Sequence, residues 1–437
     1  MTERLGPVTD CDSLDWIDDE LADLDRRSLR RTRRVCRRVD SAHIEVDGRT
    51  YVNFASNDYL GLADHPQVVA AAAAAACDEG WGAGASPLVT GRHPAHERLE
   101  ARLAEFMGAE AALLFPTGFA ANLGTIGALV GRGDLVFSDA LNHASLIDGC
   151  RLSRAAIEVY RHNDLAELER KLGSTAARTA RRRLIVTDGL FSMDGQAAPL
   201  QELCNLAEHF DAMLMVDEAH ALGVVGAGGR GVCEALGVEE RVGVRVATLS
   251  KSLGSSGGFV VGSNKLIDWL ANRARPYVFS TAGTPAAAAA AMAALDVIAA
   301  EPQRRALLQK LFSSLVRDLA AQGWRLSAAS DVDASRREQL ADESLNGLGK
   351  LPEVGAIVPV IVGPSEQTLA LAARLAERGL WVPAIRPPTV PDGTARLRIS
   401  LSSAHTPEML AGLVEALGEV SSDAANQRVS QPRGIAG

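Results

Sequence analysis

The chain has 437 residues, enough for two domains of ordinary size, and its 47% hydrophobic content supplies a large buried interior. A formal net charge of −9 argues against a protein that works by broad neutralisation of nucleic-acid phosphates, and no apolar stretch has the length and character of a membrane span. Cysteines at 11, 36, 77, 150, 204 and 233 form no CxxC pair, which fits neither a zinc site nor a disulfide framework and makes a reducing cytosol the simplest setting.

The first twenty residues are acidic and lack the apolar core of a secretion signal. Residues 14–38 read as an N-terminal helix whose second half, "RRSLRRTRRVCRR", is a solvated basic face; a few of its arginines could meet an anionic substrate or an acidic carrier. A hairpin follows in "HIEVDGRTYVNF", with Asp47-Gly48 as the turn between alternating apolar positions. Then short apolar runs alternate with helical patterns: "AALLF", "DLVFSD", "IEVY", "RLIVTD", "AMLMVD", "VRVATLS" and "GGFVVG". Strands spaced by helices predict an α/β fold with a mainly parallel central sheet covered on both faces.

Past Pro285 a long helical region leads to "AIVPVIV", another helix, "LWVPAI", "ARLRISL" and a last helix ending near Val420, which reads as a smaller C-terminal α/β domain. Residues 331–350 are polar and read as a surface insertion, and residues 421–437 carry too little apolar content to pack, which predicts a disordered tail. The expected division is an N-terminal helix and hairpin over 1–55, a large domain over 56–290, a small domain over 291–420, and the tail.

Two motifs mislead. "VDEAH" at 216–220 spells a helicase box, but the phosphate loop GxxxxGK[ST] that such chemistry needs is missing. "GAGGRG" at 226–231 matches GxGxxG, yet the stretch that should supply an acid about 20 residues on holds a lysine instead, so a tight glycine turn is the better reading.

In a parallel sheet the carboxyl ends of the strands converge on one crevice. Asp217 ends "AMLMVD", with His220 three positions on. Ser192 follows "RLIVTD", Thr248 and Lys251 lie at the end of "VRVATLSK", Gly118 and Phe119 link "AALLF" to a helix, and His143 follows "DLVFSD". Pyridoxal phosphate asks for this set. Its aldehyde needs a lysine amine, and its ring nitrogen needs a carboxylate to stay protonated. Its phosphate suits the amides that open a helix, and a flat side chain such as histidine can cover its ring. Taken singly, Asp217 could be a helix cap, His143 and His220 ordinary half-buried histidines, and Ser192 a turn residue. Their joint placement at strand ends is what points to chemistry.

At these residues the sequence resembles the α-oxoamine synthases, pyridoxal-phosphate enzymes of the aspartate-aminotransferase fold type (fold type I). The resemblance runs through "NFASNDYLGL", "LFPTGFAAN", "DALNHASLIDG", "FSMDG", "MVDEAH", "GRGV" and "TLSKSLGSSGG". It implies that Lys251 binds the cofactor aldehyde, that Asp217 pairs with the ring nitrogen and that His143 stacks on the ring and faces the substrate. Those three are the expected catalytic residues. It further implies that His220 and Ser192 lie by the ring oxygen, that Thr248 reaches the phosphate and that Gly118 and Phe119 form the cofactor-binding turn. Arg398 matches the arginine that takes an amino-acid carboxylate, Asn57 and Thr389 match substrate-side positions, and Arg30 matches an N-terminal substrate arginine. The stretch "RPPTVP" at 386–391 points to the branch using L-alanine and a pimeloyl thioester, on coenzyme A or a carrier protein, with a glycine- or acetyl-using relative, or a scaffold subunit without turnover, as alternatives. A homodimer is implied as well. Asp188 stands where a glutamate is common, and Pro87 and "STAGTP" at 280–285 depart from the pattern near the expected acyl pocket.

Overall fold

Arginine-rich sequence with no apolar stripe cannot sustain a helix against a core. In the computed structural model, which describes residues 12–326 and 355–429, the N-terminal helix spans Trp16–Arg26 and stops there rather than near residue 38. Ser28 takes a left-handed φ of 54°, which ends the helical path. The last of the arginines enter a strand instead: β1 (Cys36–Arg38) pairs antiparallel with β2 (His43–Val46), and Arg37 faces Glu45 across the pair with a 2.6 Å ion pair. The Asp47-Gly48 turn, with φ of 51° and 78°, returns the chain into β3 (Arg49–Asn53) as expected.

All seven expected runs are strands: β4 (Ala111–Phe115), β5 (Leu135–Asp139), β6 (Ala156–Tyr160), β7 (Arg183–Asp188), β8 (Met213–Asp217), β9 (Val244–Thr248) and β10 (Gly258–Gly262). They form one sheet in the order β4-β10-β9-β8-β7-β5-β6, parallel except for β10, which runs antiparallel to both neighbours. The inner runs are apolar at nearly every position because both faces are buried, whereas β6, at the sheet edge, leaves Ile157 and Val159 exposed. Val136, Leu184, Val186, Met215, Val246 and Val260 enter one core, while Leu135, Phe137, Ile185, Leu214, Val216 and Val261 enter the other. Strand progression reverses at β5, so a crevice opens at the carboxyl ends of β5, β7, β8 and β9. The alanine-rich helices Pro66–Glu79 and Pro285–Ala300 lie along each other, a close approach that small side chains permit.

Beyond the helix Gln303–Ala321, residues 327–354 lie outside the described residues, and with them the expected polar insertion. The chain continues through β11 (Ile357–Gly363), the helix Ser365–Glu377, β12 (Leu380–Trp381), β13 (Ala384–Ile385) and β14 (Ala395–Ser400). β11, β14 and β13 make an antiparallel sheet, but β12 pairs parallel with β3, so the N-terminal hairpin is completed by a strand from the far end of the chain. The last helix, Pro407–Val429, extends past the expected end at Val420; its sequence meets no proline until Pro432. Residues 430–437 of the expected tail lie outside the described residues. Among the described residues no single helix is long and apolar enough to cross a membrane.

Candidate active site

The end of β9 and the turn after it deliver Lys251 into the crevice, where its Nζ lies 2.7 Å from Nε2 of His220, three residues past the end of β8. Burial pushes the Lys251 amine down to about 8, with Arg398 adding to that shift and the carboxylates of Asp217 and Asp188 opposing it. The same burial holds His220 well below the usual histidine range, and the neighbouring charges of Lys251 and Arg398 push the same way. His220 is therefore a neutral imidazole at ordinary pH.

Asp217, 5% exposed, is fixed through both carboxylate oxygens. Asn122 Nδ2 donates to Oδ2 at 2.6 Å and the Ala219 amide donates to Oδ1 at 2.8 Å. Asn122 also donates to Ser145 Oγ at 2.8 Å, and Ser145 Oγ lies 2.7 Å from His143 Nδ1. One hydrogen-bonded set therefore joins Asp217 to His143, which caps the helix Ala144–Ser153. The Phe119 ring meets His143 edge-on, with centroids 6.4 Å apart.

The Gly118–Phe119 turn opens the helix Gly118–Leu129. Thr117 caps it by accepting from the Ala120 amide at 3.0 Å, which leaves the Gly118 and Phe119 amides without acceptors inside the helix. The turn sits tightly on the sheet, since a Cβ on Gly258 would come within 2.5 Å of Gly118. Thr248 lies beneath it, its hydroxyl donating to Gly257 O at 2.9 Å and 2.8 Å from Ser250 Oγ.

β14 brings in Arg398, 5% exposed, from the far part of the chain. Its Nε donates to Ser192 O at 2.7 Å, its Nη1 to Ser400 Oγ at 2.7 Å and Asn57 Oδ1 at 3.2 Å, and its Nη2 to Tyr59 OH at 3.4 Å. Ser192 thus meets Arg398 through its carbonyl. Tyr59 OH lies 2.7 Å from His220 Nδ1, which links Arg398 to Lys251 through two side chains.

The structure therefore brings Gly118, Phe119, His143, Ser192, Asp217, His220, Thr248, Lys251, Asn57 and Arg398 around one crevice. Arg30 and Thr389 are not joined to this group by any hydrogen bond among the described residues. Arg30 pairs with Asp25 at 2.6 Å, and it is Arg31 that reaches Thr389, at 2.9 Å. Sequence reasoning missed Tyr59, Asn122 and Ser145. Each lies inside a motif already noticed, but a strand-end criterion does not select residues on a loop or one turn into a helix.

Pro87 and Ser280–Gly283, two of the departures from the family pattern, line one cavity of about 440 Å³ with Leu114, Phe115 and Tyr277. Pro116 carries its wall directly into the Thr117 cap. Arg92 and Glu100, which also line it, form a 2.9 Å ion pair.

A family model for class I and II aminotransferases matches residues 49–417. The 8-amino-7-oxononanoate synthase of Anaeromyxobacter dehalogenans is 50% identical over 411 residues, covering 94% of this chain and 96% of that protein. The one from Aromatoleum aromaticum is 48% identical, covering 93% and 98%. Among solved structures, serine palmitoyltransferase from S. paucimobilis with PLP and myriocin bound superposes with a TM-score of 0.84 at 31% identity, covering 94% of this chain and 98% of that one. An 8-amino-7-oxononanoate synthase from Francisella tularensis gives 0.70 at 25% identity, covering 86% and 99%.

Proposed function

The chain belongs to the class I and II aminotransferase family and, within it, to the pyridoxal-phosphate-dependent α-oxoamine synthases, and from that premise we propose a specific reaction. It joins L-alanine to a pimeloyl thioester, with loss of carbon dioxide and release of the free thiol, to give 8-amino-7-oxononanoate for biotin synthesis. The observation that carries this reading is the continuous link from the Lys251 amine through His220 and Tyr59 to the buried guanidinium of Arg398. An amine that can hold or move a proton stands at a fixed span from a cation that can bind a carboxylate, which is the demand an α-amino acid makes.

The donor set fits pyridoxal phosphate. Lys251 would hold its aldehyde carbon and Asp217 its ring nitrogen. The Gly118 and Phe119 amides and the Thr248 hydroxyl would hold its phosphate, His143 would cover its ring, and His220 and Ser192 would lie by the ring oxygen. When bound, the cofactor supplies an electron sink for negative charge at the amino acid's Cα.

Arg398 and Asn57 orient the substrate carboxylate, and the contacts of Arg398 with Ser192 O and Ser400 hold that guanidinium in one plane. Lys251 takes the Cα proton and later returns one, a task suited to an amine held near neutrality. Asn122 and Ala219 keep Asp217 aimed into the crevice. Thr389 and Arg30 are assigned to the substrate entrance. A homodimer is part of the proposal: Trp81, Val89 and Phe279 are exposed around the segments that line the 440 Å³ cavity, an apolar surface that suits a second copy.

A mass-spectrometric product assay tests the reaction, with purified protein, cofactor and a matrix of amino acids against acyl thioesters. Product from alanine and a pimeloyl thioester is expected, and product only from another pair overturns the substrate assignment. Lys251→Ala is expected to abolish turnover together with the absorbance of lysine-bound cofactor. A second reading, serine with a long-chain acyl thioester, is favoured by the higher TM-score of serine palmitoyltransferase, while the higher identity to the synthases named for the alanine product weighs against it.

A further inference from the structure

The bridge between Lys251 and Arg398 has a direction. Arginine has only donors, so Arg398 Nη2 can meet the Tyr59 oxygen only by giving a hydrogen to it, at 3.4 Å. Tyr59 has one proton of its own and two nearby acceptors, Asn57 Oδ1 at 3.1 Å and His220 Nδ1 at 2.7 Å. Asn57 Oδ1 already accepts from Arg398 Nη1 at 3.2 Å, and the histidine contact is the shorter. With the Tyr59 proton pointed at Nδ1, a neutral His220 carries its own hydrogen on Nε2. That hydrogen points at Lys251 Nζ, 2.7 Å away, and an amine can accept it only when it is not an ammonium.

We propose that Tyr59 is a positioning residue that, aligned by Arg398, fixes His220 as the Nε2–H tautomer and so selects the free-base form of Lys251. This rests on the proposed roles of Lys251 and Arg398 but not on the choice of substrate. Tyr59 is fully buried and His220 nearly so, so water is not at hand to reverse the order of donors. The chain acts whenever the Lys251 amine is free of the cofactor. Other charges also face that amine: Asp217 at the end of β8 and Asp188 at the end of β7 favour the ammonium, and Arg398 opposes it. The hydrogen bond from His220 adds a directional preference for the unprotonated amine, at the atom that must act as nucleophile and base.

Two measurements on the full chain without cofactor or substrate test this. In protein with ¹⁵N-labelled histidine, held at a pH above the value of about 8 to which the Lys251 amine is pushed, the His220 ring nitrogens are expected to report the neutral Nε2–H tautomer. A dominant Nδ1–H form in the wild-type chain overturns the proposal without any variant. In Tyr59→Phe, which keeps the ring and removes the hydroxyl, the tautomers are expected to mix. The pH midpoint for modification of Lys251 by a small amine reagent is then expected to rise by about half a unit or more. An unchanged midpoint and unchanged His220 signals in Tyr59→Phe overturn it. If the reading of the substrate is wrong, the product assay fails while both of these results stand.

Discussion

Asp188 and Asp217 stand directly opposite each other at the ends of β7 and β8, two buried carboxyl groups side by side in the floor of the crevice. Burial, and then the charge of Asp217, drives Asp188 well above the usual carboxylate range. Asp188 Oδ2 accepts the His143 amide at 2.7 Å, so it holds the backbone beneath the His143 ring, while Asp217 accepts from Asn122 and the Ala219 amide. Two chemically identical residues thereby hold different partners, although both favour a charged Lys251.

That difference makes the charge of Asp217 testable. Asp217→Asn keeps the shape and the Asn122 neighbour but removes the charge, and turnover is expected to fall by about 100-fold or more. The cofactor should still bind, and its absorbance separates loss of binding from loss of chemistry. Turnover within a few-fold of the wild type would remove Asp217 from its proposed role.

Arg398→Lys retains a positive charge but loses the planar fork that meets Ser192 O, Asn57 and Ser400. The amino-acid KM is expected to rise by about 10- to 100-fold, with the KM for the acyl thioester within a few-fold. Steady-state kinetics with each substrate varied in turn checks this.

His405 provides a pH prediction away from the crevice. It is buried, accepts from the Ser402 amide at 3.1 Å, contacts Asn53 O at 3.1 Å and is pushed down to about 4, chiefly by burial. An unfolded histidine takes its proton near pH 6.5, so the unfolded state binds more protons between that pH and about 4. The stability that depends on neutral His405 is complete above pH 6.5 and is lost as pH falls. Between pH 7 and 5 the loss from this residue is about 2 kcal/mol. Urea unfolding at the two pH values is expected to show a smaller difference in His405→Gln. His220 contributes with the same sign in both proteins, so the comparison isolates His405.

Gly231 tests the glycine turn. Its φ is 110°, and a Cβ there would lie 2.5 Å from the Glu218 carboxyl, which accepts the Val232 and Cys233 amides at 2.9 and 2.8 Å. Gly231→Ala is expected to destabilise the protein by about 2 to 4 kcal/mol in urea unfolding.

The central strands were legible because each is a short run buried on both faces, and a run such as "RLIVTD" leaves little choice of structure. The residues at their carboxyl ends followed from that frame. The N-terminal helix was set too long because a row of arginines has helical propensity but nothing to bury, and Ser28 and the Arg37–Glu45 pairing decided the local structure. The polar contacts made by Tyr59 and Asn122 were not legible, since they depend on which face of a loop or helix meets a strand 339 residues away for Tyr59 and 95 for Asn122. Arg31, one position from the expected Arg30, is the one that reaches Thr389, because within an arginine run the direction of each side chain is set by the bend after Arg26.

The pairing of β3 with β12 has a consequence for how the chain is made. Arg49 donates to the carbonyl of Glu377, 328 residues on, and Val52 pairs with Leu380. At a synthesis rate of roughly 5 to 20 residues per second, the outer edge of the nascent hairpin waits about 15 to 65 s for its partner strand to leave the ribosome. The exposed edge of β3 is open to pairing with another nascent chain throughout that interval. Asn57 and Arg398 are separated in the same way, so the large sheet and its lysine can form early while the carboxylate-binding corner waits for nearly the whole chain. A ribosome-stalled chain ending before residue 380 should therefore expose both an unpaired strand and a half-built crevice, and depend on a chaperone to keep that edge from associating.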